Sequence, residues 1–564
     1  MRILVALITF GYSFGLLAQQ PVTYNKYWVQ FSSKNGTPYS TSQPEAFLSP
    51  KAIERRVQYN IPIVQSDLPV TPSYLEAVRN TGVNVLYASK WFNGAVVQVS
   101  DSSQLVEIGM LPFVSTARPV SMQKPKAPKM SNGLAMNNKK TKLSVVLTED
   151  AQTQTSGGDV YYGTAFHQIN MLMGDYLHAY GYKGEGMTVG ILDAGFVNVD
   201  INPAFETMRS EGRLLGSHDF VDGDTNVFES SEHGANVLSI MAADIPGTYV
   251  GSAPKASYWL LRTEFANTET LIEEYNWAAG AEFADSVGVD VINSSLGYST
   301  FDYADMNHTY ADMNGNQTVI TKAADIAASK GMLVVTSAGN LGGQDWRYIS
   351  APADADSVLT VGAVDSSGVI GYFSSNGPTA DGRVKPNVVG QGVMTAYVNV
   401  NGNTSAGNGT SYSSPLMAGL TTCLWQANRN KNNMSIIREV EQSSNLFDAP
   451  NGEYGYGAPN FYNSMLALGV YPNNQNINNT RSFLYPNPFN TELNVYYYAS
   501  GAGLVKLEFM DVSGRVLSSQ QQEVYSNIPY RFMFNEWQNL SRGVYFVRIS
   551  NNSGQQMLKA MKVD

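Results

Sequence analysis

Asp193, His233, Asn340 and Ser411 each stand in a short segment suited to one demand of acyl transfer. The segments are Val189-Gly190-Ile191-Leu192-Asp193-Ala194-Gly195, Glu232-His233-Gly234-Ala235-Asn236-Val237, Val334-Val335-Thr336-Ser337-Ala338-Gly339-Asn340 and Gly409-Thr410-Ser411-Tyr412-Ser413-Ser414-Pro415. A serine hydroxyl is a poor nucleophile near neutral pH, so it needs an adjacent base, and the base needs a carboxylate to fix its tautomer. The oxyanion that forms needs donors aimed at it, which an asparagine amide and a backbone N–H can supply. Taken singly, a Gly-Thr-Ser is most often a turn and a histidine at a helix start most often a surface or capping residue. The complete set in one chain is what points to chemistry.

The order Asp, His, Ser resembles that of the subtilisin-like serine proteases and differs from the chymotrypsin and α/β-hydrolase orders. The resemblance runs between the motifs too. Tyr162-Gly163-Thr164-Ala165-Phe166-His167-Gln168-Ile169 with Gly181-Tyr182-Lys183-Gly184 looks like the start of a mature subtilase. Val291-Ile292-Asn293-Ser294-Ser295-Leu296-Gly297 resembles the family's cleft strand. Val358 to Asp365 and Phe373-Ser374-Ser375-Asn376-Gly377-Pro378 resemble the stretch between oxyanion asparagine and nucleophile.

That resemblance implies a secreted endopeptidase, made as a zymogen and acting on protein or peptide substrates. Asp193 would orient His233, His233 would take and return the Ser411 proton, and Asn340 would join the Ser411 N–H in an oxyanion hole. Ser295, Leu296 and Gly297 would line one wall of the first specificity pocket and Ser337, Ala338 and Gly339 the other, with substrate added as a strand. No cofactor is required for such chemistry; structural calcium is admitted and its ligands are not assigned. The alternative from another class is a catalytically silent scaffold serving as a surface adhesin or binding protein, and the complete residue set favours the enzyme.

The chain departs from the family in places. Ala194 and Ala235 stand where Ser or Thr are common, each removing a hydroxyl near the triad. Gln168 matches one family calcium ligand, while Ala242 to Gly251 is shorter than the familiar calcium loop. Phe301 to Gln317 is rich in oxygen ligands (Asp302, Asp305, Asp312, Asn314, Asn316) but lacks an EF-hand glycine in register, so a solvated turn is the preferred reading. Glu264, Glu269, Glu273 and Glu274 read either as a cleft flank favouring basic side chains or as the acidic first turn of a helix, and the helix turn is preferred.

Apolar β-rich runs alternate with helical patterns through the centre of the chain. Thr188 to Leu192, Tyr258 to Leu261, Val289 to Asn293 and Leu333 to Ser337 are predicted as buried parallel strands, with crossover helices over Thr270 to Ser286 and Val319 to Lys330. Open sheets of this kind place chemistry at the strands' carboxyl ends. The expected fold class is α/β, a subtilisin-like, mostly parallel sheet flanked by helices. An α+β propeptide-like domain precedes it and a small β-sandwich follows.

The N-terminal domain is predicted from a strand at Tyr27 to Phe31, helices at Ala46 to Val57 and Ser73 to Asn80, and strands at Val83 to Ser89 and Ala95 to Ser100. A short helix at Ser103 to Gly109 and a strand at Phe113 to Pro119 complete a ferredoxin-like β-α-β-β-α-β unit. Subtilase propeptides commonly have this form and act as inhibitors, which makes this domain an expected partner of the peptidase. At the other end, Leu484-Tyr485-Pro486-Asn487-Pro488, Asp511-Val512-Ser513-Gly514-Arg515-Val516 and Gly543-Val544-Tyr545-Phe546-Val547-Arg548-Ile549 resemble type IX secretion sorting domains. That implies the outer-membrane secretion machinery as a partner. The predicted division is a signal peptide at 1–18, propeptide domain at 27–120, linker at 121–158, peptidase domain at 159–470, linker at 471–482 and sorting domain at 483–564.

Composition agrees with an exported hydrolase. A formal charge of −11 without a basic stripe argues against nucleic acid as a partner. Arg2, the apolar Ile3 to Phe10 and Phe14 to Leu17, and Ala18 have signal-peptide order, and Gly11, Ser13 and Gly15 break the stretch too soon for an anchor. The single cysteine, Cys423, has no intrachain partner, and its neighbours Leu420, Leu424 and Trp425 predict a buried thiol.

Overall fold

The computed structural model describes residues 23–123, 159–468, 482–485, 489, 493–499, 501–525, 529–534, 540–552 and 554–563. The expected signal peptide lies outside them, as do nearly all residues of the two expected linkers. The chain divides into two compact units: Met1–Pro38, Pro69–Lys142 and Thr270–Ile272 form one, and Tyr39–Leu68, Leu143–Glu269 and Glu273–Asp564 the other.

Along the first part of the chain run β1 (Thr23–Phe31), α1 (Pro50–Gln58), α2 (Pro72–Arg79), β2 (Asn84–Ser89), β3 (Gly94–Gln98), α3 (Ser103–Gly109) and β4 (Val114–Gln123). The first unit is an antiparallel sheet of order β2-β3-β1-β4 with α2 and α3, the ferredoxin-like arrangement expected. Its core joins Val29, Phe31, Val78, Val97 and Ile108. One expectation fails here. The helix read over Ala46 to Val57 is a 3₁₀ turn at Pro44–Ala46 followed by α1, and α1 belongs to the second unit. Ser49 restarts the chain as a helix by accepting the Ala52 N–H at 3.2 Å, with Pro50 preset at the first helical position.

The second unit is built on β5 (Thr188–Asp193), β6 (Leu214–Asp219), α4 (His233–Ala242), β7 (Ser257–Arg262), α5 (Ile272–Val287), β8 (Val291–Ser294), α6 (Val319–Ser329), β9 (Leu333–Ser337), β10 (Val358–Val364), β11 (Val388–Gln391) and α7 (Thr410–Ala427). The strands pair in the order β11-β10-β9-β8-β5-β7-β6, and every pairing is parallel. β5, β8, β9 and β10 are buried along their whole length, as strands covered on both faces must be. Helix α7 packs on β8 to β11 and on α4. A Cβ at Gly419 would lie 2.0 Å from Ser252 Oγ, so glycine lets this helix dock.

After residue 481 come β12 (Ser482–Tyr485), β13 (Leu493–Tyr498), β14 (Gly503–Asp511), β15 (Val516–Val524), β16 (Pro529–Phe534), β17 (Gly543–Asn551) and β18 (Gly554–Lys562). They form antiparallel sheets of order β12-β13-β16 and β15-β14-β17-β18. Leu493, Val495 and Phe532 from one sheet share a core with Leu507, Phe509, Val547 and Ile549 from the other. This is the expected sandwich. Among the described residues no helix is long and apolar enough to cross a membrane.

Behind α7, Cys423 is buried and its thiol donates to the Ser252 carbonyl at 3.3 Å. His178 donates from Nε2 to the same carbonyl at 3.0 Å, which fixes its tautomer, so Nδ1 accepts from the Tyr162 hydroxyl at 2.9 Å. Burial pushes the His178 imidazole down to about 4. The unfolded chain therefore binds a proton at this residue that the folded chain refuses between pH 6.5 and about 4. Stability should fall by about 3 kcal/mol as pH drops through that window. Urea midpoints at pH 7 and pH 4.5 measure the loss, and His178→Gln should flatten the slope.

Candidate active site

Neighbouring parallel strands β5, β8 and β9 end together at one edge of the sheet. Asp193 is the last residue of β5; Ser295 to Gly297 continue from β8 and Ala338 to Asn340 from β9. His233 is the first residue of α4, and Ser411 is the second of α7 after Gly409 and Thr410.

The Asp193 carboxylate is completely buried. Its Oδ1 accepts from His233 Nδ1 at 2.8 Å and from the Ala194 N–H at 2.7 Å. A carboxylate at Nδ1 sets the imidazole tautomer that leaves Nε2 basic. Two glycines allow the segments to close on one another. Gly234 donates to the Gly195 carbonyl at 3.0 Å, where a Cβ on Gly234 would sit 2.5 Å from that oxygen. A Cβ on Gly195 would lie 2.4 Å from the Glu229 carbonyl. Asp193 Oδ2 is buried with no hydrogen-bond partner among the described residues. The Ala194 methyl, at the position flagged in the sequence, offers it no hydroxyl.

Asn340 is exposed, and Thr410 sets its orientation. The Thr410 N–H and hydroxyl both donate to one end of the amide, at 2.9 and 3.0 Å. That end must be Oδ1, because a backbone N–H can only donate, so the amide presents its N–H donors elsewhere. Thr410 Oγ1 also accepts from the Gly339 N–H at 3.2 Å. Sequence reasoning assigned Thr410 no role of its own.

Ser411 and Ser295 are tied twice. Ser411 Oγ donates to the Ser295 carbonyl at 3.2 Å rather than to His233, and Ser295 Oγ donates to the Ser411 carbonyl at 3.1 Å. The second bond follows from Pro415, inside α7. A helical carbonyl expects the N–H four residues on, proline has none, and the Ser295 hydroxyl takes its place.

The two expected pocket walls come close at Ser350. A Cβ built on Gly297 would lie 2.6 Å from Ser350 Oγ, and one on Gly339 2.8 Å from the same atom. Leu296, Ser337 and Ala338 are buried, while Gly297 is exposed. The sequence reading gave Ser350, which is buried beside both glycines, no role, and nothing local in its segment marks it.

Other candidates are spent elsewhere. Gln168 donates to the Tyr249 hydroxyl and Ala396 carbonyl, both at 3.1 Å, and its Oε1 accepts from the Ala396 N–H at 2.9 Å. This carboxamide ties its own segment to Tyr249 and Ala396, and the shortened loop beyond it is a hairpin of Asp244–Ile245 with Tyr249–Val250. In the acidic segment, Asp312 holds the Thr309 N–H and hydroxyl, each at 2.7 Å, and Asn314 the Asn316 N–H at 2.9 Å, so these oxygens cap turns. Glu274, with Glu273, stands in the first turn of α5 as expected, and it also reaches a second helix. Its Oε2 accepts the Val319 and Ile320 N–H groups at the start of α6. Glu264, Glu269 and Glu273 place carboxylate oxygens within 4.8 Å of one another.

Three family profiles match the chain. Residues 184–457 match the profile of the subtilase family, 26–135 that of a peptidase S8 propeptide domain of Bacteroidota, and 483–563 that of a secretion system C-terminal sorting domain. Subtilisin DY of Bacillus licheniformis is 31% identical over 261 residues, covering 45% of this chain and 82% of that protein. A thermophilic serine proteinase of Bacillus sp. (strain AK1) is 27% identical over 311 residues, covering 54% of this chain and 68% of that protein. The crystal structure of MycP1 from the ESX-1 type VII secretion system is similar over 53% of this chain and 85% of that one, with a TM-score of 0.43 and 21% identity.

The reciprocal serine pair has a measurable consequence. Ser295→Ala leaves the Ser411 carbonyl buried without its donor and should lower stability by about 1–3 kcal/mol in chemical denaturation. Adding Pro415→Ala, which restores a helical N–H, should recover part of that loss. Absence of recovery would assign the loss to another contact of Ser295.

Proposed function

The chain belongs to the subtilase family, and we propose that within it Asp193, His233 and Ser411 act as the triad of a peptide-bond hydrolase, with Asn340 in the oxyanion hole. It is a subtilisin-like serine protease, exported through type IX secretion and carrying a propeptide. The observation that carries the residue assignment is the buried Asp193 carboxylate on His233 Nδ1, at the same sheet edge as Ser411 and Asn340.

In the proposed mechanism His233 Nε2 takes the Ser411 proton as Oγ turns from the Ser295 carbonyl to the substrate carbonyl carbon. The oxyanion is met by the Asn340 amide and the Ser411 N–H at the start of α7. His233 then protonates the leaving amine, the acyl group stays on Ser411 Oγ, and a water activated by His233 releases it. Substrate backbone pairs with Ser295–Gly297 and Ser337–Gly339, whose small residues leave a roomy first pocket without fixed charge. The division into propeptide, peptidase and sorting domains at 27–120, 159–470 and 483–564 is part of this reading. We place maturation in the intervening linker.

A fluorophosphonate should label the mature wild-type protein and leave Ser411→Ala unlabelled, with circular dichroism unchanged and hydrolysis near background. Asn340→Ala should retain the label while losing about 100- to 1,000-fold in turnover, a magnitude borrowed from a subtilisin. An unlabelled wild-type protein with its fold intact would sink the assignment.

Deleting the residues after 480 should trap the protein in the periplasm with hydrolysis intact, since the four proposed groups all precede the deletion. Activity in medium, cell surface and periplasm reads both points. Unchanged secretion would reject the sorting role, and loss of activity in a folded truncation would join this domain to catalysis.

A further inference from the structure

Helix α1 buries the wrong residues for an ordinary amphipathic helix. Val57 is 73% exposed and Glu54 is exposed beside it, while Ala52, Arg55 and Arg56 are buried. A guanidinium taken out of water is strongly unfavourable unless a carboxylate meets it. Asp285, completely buried, accepts Arg55 Nη2 on one oxygen at 2.6 Å and Arg56 Nη2 on the other at 2.8 Å. Arg55 also donates to the Lys330 carbonyl at 3.0 Å and to the Val289 carbonyl. One turn earlier, Lys51 reaches Asp290 at 2.7 Å and the Thr188 hydroxyl at 2.6 Å.

The contacts continue past the helix. Asp67 is held by Arg56 at 3.3 Å and Lys330 at 3.0 Å. Tyr59 stacks on Trp425 with 6.0 Å between ring centroids and donates to the Arg429 carbonyl at 3.0 Å. Glycine makes room at two points: a Cβ on Gly288 would lie 2.8 Å from Lys51 Cβ, and one on Gly331 2.7 Å from Ile61 Cδ1. Thr188 opens β5, Asp290 precedes β8, and Lys330 and Gly331 precede β9. The segment therefore grips the amino-terminal edge of the sheet, opposite the edge that carries Asp193.

We propose that this edge is an anchoring site for the chain's own segment Tyr39–Leu68, and that it retains the N-terminal fragment on the peptidase after the linker is cut. This rests on the zymogen reading and deepens it by giving the propeptide a contact surface remote from the catalytic groups. The segment lies inside the stretch matched by the propeptide profile, 26–135, yet packs as part of the unit that holds those groups. Recognition is chemical: adjacent guanidinium groups and a lysine one turn away on a helix face meet Asp285 and Asp290.

The test uses the full chain carrying Ser411→Ala, with a recognition sequence for an added site-specific protease inserted between residues 124 and 158. Gel filtration follows release of the N-terminal fragment after cutting. The fragment should stay with the remainder of the parent chain. Arg55→Met together with Arg56→Met should speed release by at least about tenfold, and Glu54→Gln on the exposed face should not. Prompt release from the parent, equal retention by the double variant, or a Glu54→Gln effect as large as the double variant's overturns the anchor. Should the double variant fail to fold, Lys51→Ala decides: faster release by about threefold or more supports the anchor, and unchanged release overturns it. Cutting by an added protease keeps the result independent of the chain's own activity, so anchor and peptidase assignment fail separately.

Discussion

A carboxylate buried without exposure has to be compensated by fixed donors, and the arrangement around Asp193 follows from that demand. One of its oxygens is shared by the His233 ring and the Ala194 N–H. Both donors come from backbone segments that must approach within contact of each other, which explains the glycines at 195 and 234. The same demand fixes where Asp193 can stand. A strand buried on both faces offers a dry environment, and its carboxyl end is where the chain is free to turn and meet a helix start. The second oxygen lies buried with no hydrogen-bond partner among the described residues.

The side of Ser411, the proposed nucleophile, is held by a different logic, substitution for missing backbone hydrogen bonds. Pro415 removes a donor from the first turns of α7, and the Ser295 hydroxyl takes up the carbonyl it leaves at Ser411. Asn340 likewise has its acceptor occupied by Thr410, so its donors are the groups left to serve a developing charge. Both ties connect the helix bearing Ser411 to loops after β8 and β9. The positions of Ser411 and of the Ser295–Gly297 segment are thereby coupled through the paired hydrogen bonds of Ser295 and Ser411.

The sheet was legible in the sequence because buried parallel strands announce themselves as unbroken β-branched runs; Leu333–Ser337 has the predicted bounds and β5 differs by one residue. The proposed catalytic segments could be picked out because each carries its own local punctuation of glycine and small residues. What escaped were pairings set by residues far apart in sequence. Helix α1 was assigned to the ferredoxin-like unit because hydrophobic periodicity assumes that apolar side chains point inward, and here arginines do so toward Asp285. Glu274 was legible as the first turn of its own helix, but not its second task of accepting the N–H groups that open α6. Gln168 kept the residue type of a family ligand while its carboxamide was taken by Ala396.

These long-range pairings divide the sheet's two edges between two tasks. Thr188, which receives Lys51, and Asp193, which holds His233, are the first and last residues of β5. Five steps of extended chain separate them by about 17 Å. Helix α7 repeats the pattern, with Ser411 in its first turn and Trp425, the stacking partner of Tyr59, in its last. The 14 steps from Ser411 to Trp425 span about 21 Å. Holding the N-terminal segment at one edge thus keeps its contacts about 17–21 Å from the proposed proton chemistry at the other. A contact placed on the catalytic edge would have to compete with substrate for every bond it made; one on the amino-terminal edge can persist through catalysis.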